Sequence, residues 1–369
     1  MIGGHGGNIY HLARRLGCRP VDISDMSANV NPLGPMPALM DHLKARLTDI
    51  AALPEVDADG IAAGFAGMQG VAPSQIMAGN GSTELIYLIP RALGIATALV
   101  VGPTYADYQD ACSMSRVTCN QLIGRKRDHF LPDMQALGKA ARGADLVFLC
   151  NPNNPTGTWV NREALQALCR SLPDTLFVID ESYLPFVPDP ESISMIRSDL
   201  PNLMVLNSMS KAFRIPGLRI GFVKAPAALI EKLAAFRLPW SVNSLAQAAV
   251  NWLMTHPEAV APFLAETRRV IEEEKRGIEE YIHQKSKIHC FPSVTSFMLM
   301  RLPDGVNAST VWQHMADNRI LIRDCSNFTG LSRAYIRMSL KTTPENRRAA
   351  ELLVRFCRDR CERGTGHVI

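Results

Sequence analysis

Lys211 has the neighbours of a residue that performs covalent chemistry. An apolar, strand-like run at 203–206 leads to it, the small hydroxyl residues Ser208 and Ser210 precede it, and Arg219 follows eight residues later. Burial in such surroundings lowers the pKa of a lysine and frees its amine, which can then form a Schiff base with a carbonyl. A lysine in an exposed turn is the alternative, and Ser-x-Ser-Lys alone leaves both interpretations open.

A glycine-containing turn at 78–84 has the composition of a phosphate site. Gly81 lets the backbone approach a ligand, while Ser82 and Thr83 stand where an apolar, helical stretch begins. The free N–H groups and the positive dipole end of a helix start favour a phosphate. An ordinary helix cap is the alternative interpretation. Three residues near the lysine would complete the same phosphate site: Ser208, Ser210 and Arg219.

Two further apolar runs end in polar residues. The run 146–150 stops in a loop of asparagines, prolines and a glycine, where Asn154 precedes a proline that restricts its backbone. The run 176–180 ends at Asp180, and ligands of open parallel sheets collect at the carboxyl ends of strands. A buried aspartate there needs a cationic partner, and Tyr183 follows three residues later. A plain Asn-Pro turn and a helix cap by Asp180 are the alternatives.

Together these residue types fit one ligand, pyridoxal 5'-phosphate. Its aldehyde would meet the lysine, its phosphate the serines and the arginine, and its protonated ring nitrogen the aspartate. A charge pair about 4 Å apart is worth roughly 4 kcal/mol at an effective dielectric of 20, enough to hold that proton at neutral pH. A protonated ring is an electron sink, so the sequence predicts an enzyme that uses this cofactor.

The elements that position these residues alternate along the chain. Strand-like runs separated by helical patterns predict an α/β fold, a mostly parallel central sheet with helices on both faces. After a charged helical stretch at 266–280, three further runs predict a smaller α+β domain. The runs of the central sheet are 98–101, 146–150, 176–179, 203–206 and 219–223, and those of the smaller domain are 296–301, 320–323 and 335–339.

Nearly end to end, the chain resembles the fold-type I pyridoxal-phosphate enzymes of the class I and II aminotransferase superfamily. Four runs resemble the threonine-phosphate decarboxylases of cobalamin (vitamin B12) synthesis more than the related histidinol-phosphate aminotransferases. These runs are 5–8, 27–34, 239–243, and 322–331 leading to 335–337. The resemblance implies an N-terminal arm (1–40) that packs with the small domain or a partner subunit, a large cofactor-binding domain (41–238) and a small C-terminal domain (239–369).

The resemblance also implies the role of each residue. Lys211 would bind the cofactor aldehyde, Asp180 would pair with the ring nitrogen, Asn154 and Tyr183 would contact the ring oxygen, and Tyr105 would stack on the ring. The implied catalytic residues are Lys211, Asp180, Tyr183 and Asn154. The implied cofactor-binding residues are Gly81, Ser82, Thr83, Tyr105, Asn154, Asp180, Tyr183, Ser208, Ser210, Lys211 and Arg219. The implied substrate-binding residues are His5, Gly6, Asn29, Asn154, Arg323 and Arg337.

Two positions depart from the pattern of the relatives. Leu53 stands where relatives usually place a tyrosine that reaches the cofactor phosphate of the neighbouring subunit, so this hydroxyl is missing. Some decarboxylases have a tyrosine two residues after the lysine and a phenylalanine after the aspartate. This chain has Phe213 and Tyr183, an arrangement nearer that of the aminotransferases.

The implied reaction is decarboxylation of L-threonine O-3-phosphate to (R)-1-aminopropan-2-yl phosphate for the nucleotide loop of cobalamin, with serine phosphate as another possible substrate. The first alternative is a histidinol-phosphate-type aminotransferase that uses 2-oxoglutarate and glutamate. The second is a binding protein that retains the cofactor as a regulator. The orientation of the bonds at the substrate Cα separates decarboxylation from transamination, and a sequence does not give that orientation.

Composition is consistent with an enzyme of the cytoplasm. The 369 residues, 47% of them hydrophobic, can bury a large core, and the net charge of +4 is spread along the chain without a basic stripe. This charge suits a small anionic substrate and no nucleic acid, and the resemblance implies that the substrate is a phosphorylated amino acid. Neither an export signal nor a membrane span is expected. Nine cysteines without a Cys-x-x-Cys pair predict free thiols and no metal site. The resemblance adds a homodimer with active sites at the subunit interface.

Overall fold

The computed structural model describes residues 6–364 of the chain and has an α/β architecture. The helices are α1 (Ile9–Leu16), α2 (Pro37–Ala45), α3 (Asp59–Gln69), α4 (Gly81–Ala92), α5 (Asp107–Met114), α6 (Met134–Ala141), α7 (Arg162–Ser171), α8 (Met209–Ala212), α9 (Ala227–Ala234), α10 (Ser244–Thr255), α11 (Pro257–Lys285), α12 (Ala308–Asp317) and α13 (Thr343–Gly364). The strands are β1 (Ser24–Asp25), β2 (Ile76–Gly79), β3 (Thr97–Gly102), β4 (Thr118–Ile123), β5 (Leu146–Cys150), β6 (Leu176–Asp180), β7 (Leu203–Ser208), β8 (Gly221–Lys224), β9 (His289–Cys290), β10 (Phe297–Arg301), β11 (Ile320–Leu321), β12 (Arg323–Asp324) and β13 (Tyr335–Ser339).

The central sheet has seven strands in the order β2-β8-β7-β6-β5-β3-β4. β8 is antiparallel to both of its neighbours, and the other pairs are parallel, so the predicted mostly parallel sheet is confirmed. Side chains of a strand alternate between the two faces of a sheet. Accordingly, Phe148 of β5 belongs to one apolar cluster while Val147 and Leu149 belong to the other. Both faces are therefore covered, which explains the nearly continuous apolar runs in the sequence.

The register of the parallel strands brings the polar strand ends to one edge. Cys150, at the end of β5, pairs with Asp180, and Asp180 pairs in turn with Leu206 of β7. The loops that carry the candidate residues begin directly after these positions. This edge is where an open α/β sheet places its ligands.

A smaller antiparallel sheet, in the order β12-β13-β10-β9, carries the C-terminal candidate residues. The single strand predicted at 320–323 is wrong. β11 pairs with β1, whereas β12 pairs with β13, because the chain passes from one sheet to the other around the buried Ile322.

The strand predicted at 219–223 also begins later than expected. Arg219 has φ +58°, in the left-handed region that a strand does not use, and β8 starts at Gly221. The turn at Arg219 has a functional consequence, since it brings the guanidinium next to the start of α4.

The N-terminal segment packs on the side of the smaller sheet. Leu12 and Ala13 of α1 share an apolar cluster with Ala316 and Leu321, and Arg15 lies 3.1 Å from Asp317. On the other side of the predicted boundary at 238/239, α10 packs with α2 and α3. The division into residues 1–40, 41–238 and 239–369 stays a prediction.

The apolar run at 85–102 is divided between α4 and β3, with Pro90 and Arg91 inside the helix. Across residues 6–364, every helix is either too short or too polar to cross a bilayer. In the same range, no group of three or more His, Cys, Asp or Glu side chains is placed to hold a metal ion.

Candidate active site

The sequence-predicted residues converge on a cavity of about 250 Å³ at the carboxyl edge of the central sheet. It lies between the central sheet, the N-terminal segment and the smaller sheet. Eight of the predicted residues line it: Gly6, Asn29, Tyr105, Asn154, Tyr183, Lys211, Arg323 and Arg337. His5, a further predicted substrate ligand, lies outside the described residues. We call this cavity the catalytic pocket.

Lys211 reaches the catalytic pocket from α8, which follows β7 directly. Burial is the main cause that lowers the pKa of Lys211 to about 8, and the guanidinium of Arg219 lowers it further. The Asp180 carboxylate opposes this effect. The side chain is nevertheless partly open to the pocket, so its amine is both easily deprotonated and accessible.

The lowered pKa predicts how the reactivity of Lys211 depends on pH. Only the neutral amine attacks an aldehyde, so the rate at which the cofactor-free protein takes up pyridoxal phosphate is expected to rise with pH and level off above about 8. A lysine with its ordinary pKa of 10.5 would keep gaining reactivity well beyond that point. Stopped-flow absorbance across this pH range measures the midpoint. A midpoint above pH 10 would contradict the assignment.

Asp180 is buried at the end of β6, and neutral donors hold both of its oxygens. The Tyr108 hydroxyl donates to Oδ2 at 2.7 Å, and Oδ1 accepts from the backbone N–H and the hydroxyl of Ser182 at 2.9 and 2.6 Å. Within the described residues, no lysine, arginine or histidine forms an ion pair with this carboxylate. A buried charge without a counterion raises the free energy of the folded protein, so a cationic group of a ligand would stabilise this site.

The hydrogen bond from Tyr108 predicts a measurable effect on cofactor binding. In Tyr108→Phe, the carboxylate loses one donor and its fixed orientation, so we expect the dissociation constant for pyridoxal phosphate to rise about tenfold. Absorbance titration of the cofactor-free protein measures this. Tyr335→Phe is the matched control, since Tyr335 is also buried but packs with Phe130 and Phe291. Equal effects of both substitutions would mean that Tyr108 acts only through packing.

Three residues surround the space where a ring would lie. Burial raises the pKa of Tyr183, so its phenol stays protonated near neutral pH, and Asn29 Nδ2 donates to it at 3.2 Å. Asn154 accepts a hydrogen bond from Arg337 through Oδ1, which leaves its Nδ2 group as a donor. Tyr105 stands edge-on to Tyr108, with ring centroids 5.8 Å apart, and its hydroxyl interacts with Thr83.

The predicted phosphate residues meet at the start of α4, beside the catalytic pocket. They do not belong to its wall, but Ser82 connects to Asp180 through the Ser182 hydroxyl, which lies 3.5 Å from the Ser82 hydroxyl. Gly221 pairs with both Gly79 and Ser208, so three strand ends lie side by side there. Ser210 donates to the carbonyl of Ile220, which secures the turn. These groups form a cup of hydroxyls, helix N–H groups and a guanidinium.

A substitution at Gly81 tests whether this cup binds the cofactor phosphate. Gly81 has φ +78°, and a Cβ added there would lie 2.5 Å from Arg219 Nη2. In Gly81→Ala, displacement of Arg219 is expected to weaken binding of pyridoxal phosphate about tenfold. Gly94→Ala is the matched control, since Gly94 has φ +63° with nothing within 4 Å, so both variants pay about 1 kcal/mol of backbone strain. Thermal melting should show similar losses, while cofactor titration should separate the two.

Arg323 and Arg337 lie directly opposite each other across β12 and β13. Arg337 is buried, donates to the Ser27 carbonyl at 2.6 Å and to Asn154, and stacks over the Phe297 ring. Its Nε is buried without a hydrogen-bond partner in the described part of the chain. Arg323 donates to Asn327 at 2.7 Å and stacks over Phe328. Two fixed cations thus face one pocket.

These groups fit pyridoxal 5'-phosphate. The cup offers an anion site, Asp180 offers a carboxylate that lacks a cation, Tyr183 and Asn154 offer donors for a ring oxygen, and Lys211 offers an amine. Gly221 makes room for the cup, because a Cβ there would collide with the backbone N of Ser82. The residues present therefore match each functional group of the cofactor.

Reasoning from the sequence missed the residues that orient the predicted ones. Tyr108 and Ser182 hold Asp180, while Asp25 accepts from the Ser27 hydroxyl, which in turn accepts from the backbone of Gly7. No local sequence pattern identifies Tyr108 as a site residue, because an aromatic residue on a helix is normally interpreted as part of the hydrophobic core. Ser182 could have been found, since a serine two residues after an aspartate commonly forms such a turn.

Comparison with known proteins agrees with the geometry. The sequence model for "Aminotransferase class I and II" matches residues 25–353. Threonine-phosphate decarboxylase of Salmonella typhimurium is 31% identical over 93% of this chain and 94% of its own length. The bifunctional adenosylcobalamin biosynthesis protein CobDQ of Leptospira interrogans is 29% identical over 93% of this chain, but this chain spans only 40% of its length.

Solved structures and further relatives extend the comparison. L-threonine-O-3-phosphate decarboxylase from Porphyromonas gingivalis superposes with a TM-score of 0.80 at 30% identity, over 91% of this chain and 99% of its own. Histidinol-phosphate aminotransferases match similar shares of the chain at 27 to 31% identity. The chain therefore belongs to the class I and II aminotransferase family, whose members are pyridoxal-phosphate-dependent enzymes of fold type I.

Proposed function

We propose that the protein decarboxylates L-threonine O-3-phosphate to (R)-1-aminopropan-2-yl phosphate, for assembly of the cobalamin nucleotide loop. The observation that carries the proposal is the direct pairing of Arg323 and Arg337 in the pocket that also contains Lys211. Two adjacent guanidinium groups repel each other unless a ligand brings comparable negative charge. An amino acid that bears both a carboxylate and a phosphate has this charge, and serine phosphate has it as well.

The proposed roles follow from the positions of the side chains. Pyridoxal phosphate, when bound, supplies an electron sink to whichever bond at the substrate Cα stands perpendicular to its ring. Arg323 and Arg337 bind the two anionic groups and hold the carboxylate in that perpendicular position. Lys211 Nζ returns a proton to Cα after the Cα–carboxylate bond breaks and CO2 leaves. Asp180, oriented by Tyr108 and Ser182, would supply the negative charge that keeps the ring nitrogen protonated.

We also propose that the protein is a homodimer. Five large apolar side chains in the segments 50–56 and 238–240 are 47 to 75% exposed: Ile50, Leu53, Val56, Leu238 and Trp240. The Trp240 backbone N donates to the Val56 carbonyl at 2.8 Å, so these two segments form one surface. Large apolar patches mark association sites. Sedimentation velocity tests this proposal, and a mass of 40.6 kDa at micromolar concentration would contradict it. For location we propose the cytoplasm.

A second candidate is an aminotransferase of the histidinol-phosphate type. The pair Phe213 and Tyr183 favours it, because the buried Tyr183 phenol lies in the pocket in the arrangement that resembles the aminotransferases. In this reaction the Cα–H bond would stand perpendicular to the ring and Lys211 would remove the proton.

One pair of assays separates the two candidates. The protein loaded with pyridoxal phosphate is incubated with L-threonine O-3-phosphate in the absence of any keto acid, and CO2 release is measured. Stoichiometric CO2 and the amino-alcohol phosphate support decarboxylation. L-threonine is the matched control, since it lacks the phosphate and should react far more slowly. Turnover of histidinol phosphate with obligatory consumption of 2-oxoglutarate would instead support the aminotransferase.

A further inference from the structure

A second cavity, of about 320 Å³, lies on the other side of α8 from the catalytic pocket. We call it the rear cavity. Met209 and Ala212 of α8 line it, whereas Lys211 of the same helix lines the catalytic pocket. Its volume is within the range of small-molecule sites, and much of its wall is apolar. The apolar side chains that form the wall include Phe65, Met68, Met209, Phe213, Leu253 and Leu264.

A single cation without a carboxylate partner faces this apolar wall. Arg268 of α11 donates only a long hydrogen bond, 3.3 Å, to the Pro185 carbonyl, and it forms no ion pair among residues 6–364. The other two arginines of the wall each have a carboxylate partner, since Arg162 lies 3.6 Å from the Glu163 carboxylate and Arg197 lies 3.6 Å from the Glu191 carboxylate. Arg268 is therefore the arginine available to a ligand.

The carboxyl group of Glu181 does not neutralise Arg268. It accepts hydrogen bonds from the Met195 backbone at 2.5 Å and from the Ser194 hydroxyl at 2.8 Å, so both of its oxygens are held by the segment 194–195. Burial raises the pKa of Glu181 to about 7, so at neutral pH it places less than a full negative charge in the cavity. Glu191, the other carboxylate of the wall, is paired with Arg197, so an anionic ligand meets one arginine that lacks a carboxylate partner.

We propose that the rear cavity is a regulatory site for a small amphiphilic carboxylate, whose apolar body packs against Phe65, Leu253 and Leu264 and whose carboxylate binds Arg268. Regulation follows from the position of the site. A ligand that packs against Met209 and Ala212 changes the packing of the four-residue helix that carries Lys211. This inference is independent of the reaction, because it concerns only the helix that both candidate functions share.

The test uses the protein loaded with pyridoxal phosphate and two probes of equal shape. We expect 3-phenylpropionate to bind at least tenfold more tightly than the uncharged 3-phenyl-1-propanol, because the alcohol oxygen can accept a hydrogen bond from Arg268 but lacks the charge of the ion pair. Arg268→Gln is expected to remove this difference. Arg269→Gln is the matched control, since the neighbouring Arg269 is exposed and pairs with Glu266 and Glu273. Isothermal titration calorimetry measures the affinities of both probes for the unmodified protein and for the two variants.

Two further measurements locate the site and its effect. Leu264→Trp fills the cavity and should abolish binding of both probes, even if Arg268→Gln does not fold. In the unmodified protein, 3-phenylpropionate should change the visible absorbance of the bound cofactor. Inorganic phosphate should not displace 3-phenylpropionate. Displacement by phosphate, unchanged binding in Arg268→Gln and Leu264→Trp, or an unchanged cofactor spectrum would overturn the proposal.

Discussion

Replacing Lys211 by alanine is expected to reduce turnover about a thousandfold or more, whichever substrate proves correct. Lys211 is the only lysine in the described wall of the catalytic pocket, so no other amine there can take its place. The variant should also lose covalent attachment of the cofactor. Reduction with borohydride in the presence of pyridoxal phosphate, followed by mass spectrometry of the peptides, should label residue 211 in the unmodified protein and leave the variant unlabelled.

Lys275 provides the matched control for this substitution. Burial lowers the pKa of Lys275 to about 8 as well, but its amine donates to the Ser293 carbonyl and does not line the catalytic pocket. Lys275→Gln should therefore keep the label and the turnover. Labelling that persists in Lys211→Ala, or disappears in Lys275→Gln, would refute the assignment of Lys211.

Asp180→Asn is expected to reduce turnover by about a hundredfold to a thousandfold. The amide has nearly the shape of the carboxylate but no charge, so the ring nitrogen of the cofactor loses the anion that keeps it protonated. The amide also places an N–H2 group against one of the donors that now bind the carboxylate, Tyr108 on Oδ2 or Ser182 on Oδ1. Both effects should weaken binding of pyridoxal phosphate, which absorbance titration measures together with the rate.

Glu181→Gln is the control, because Glu181 is the next residue and is also fully buried. Its carboxyl is held by Met195 and Ser194, away from the catalytic pocket, and burial raises its pKa to about 7. Removal of this ionisable group should leave turnover within a few fold of the unmodified protein. If both variants lost activity equally, the charge of Asp180 would not be the cause.

Much of the fold could be predicted because local patterns determine it. The apolar runs at 146–150, 176–179 and 203–206 are uninterrupted and bounded by polar residues, which predicts buried parallel strands, and the structure confirms them. The short pieces β11 and β12 could not be separated in this way. Their boundary depends on which sheet each half joins, and such a choice is made by contacts far away in the chain.

In the candidate site, too, some residues could be predicted from local patterns and others could not. Lys211, Asp180 and Asn154 are recognisable because each lies at the end of an apolar strand or within four residues after it, and parallel strands bring their carboxyl ends together. The sequence thus determined which reactive groups would share one edge. It did not determine what holds them, since Tyr108 and Ser182 act on Asp180 through distances that only packing sets.

The pairing of Arg323 with Arg337 and the rear cavity belong to the tertiary structure alone. The two arginines are separated by 14 positions in the chain, and only the register between β12 and β13 places them opposite each other. Residues of α3, α8, α10 and α11 line the rear cavity, and no local sequence pattern predicts the space that remains between packed helices. Sequence determines the chemistry that each residue can offer, whereas the relative positions of distant elements decide which of these groups meet.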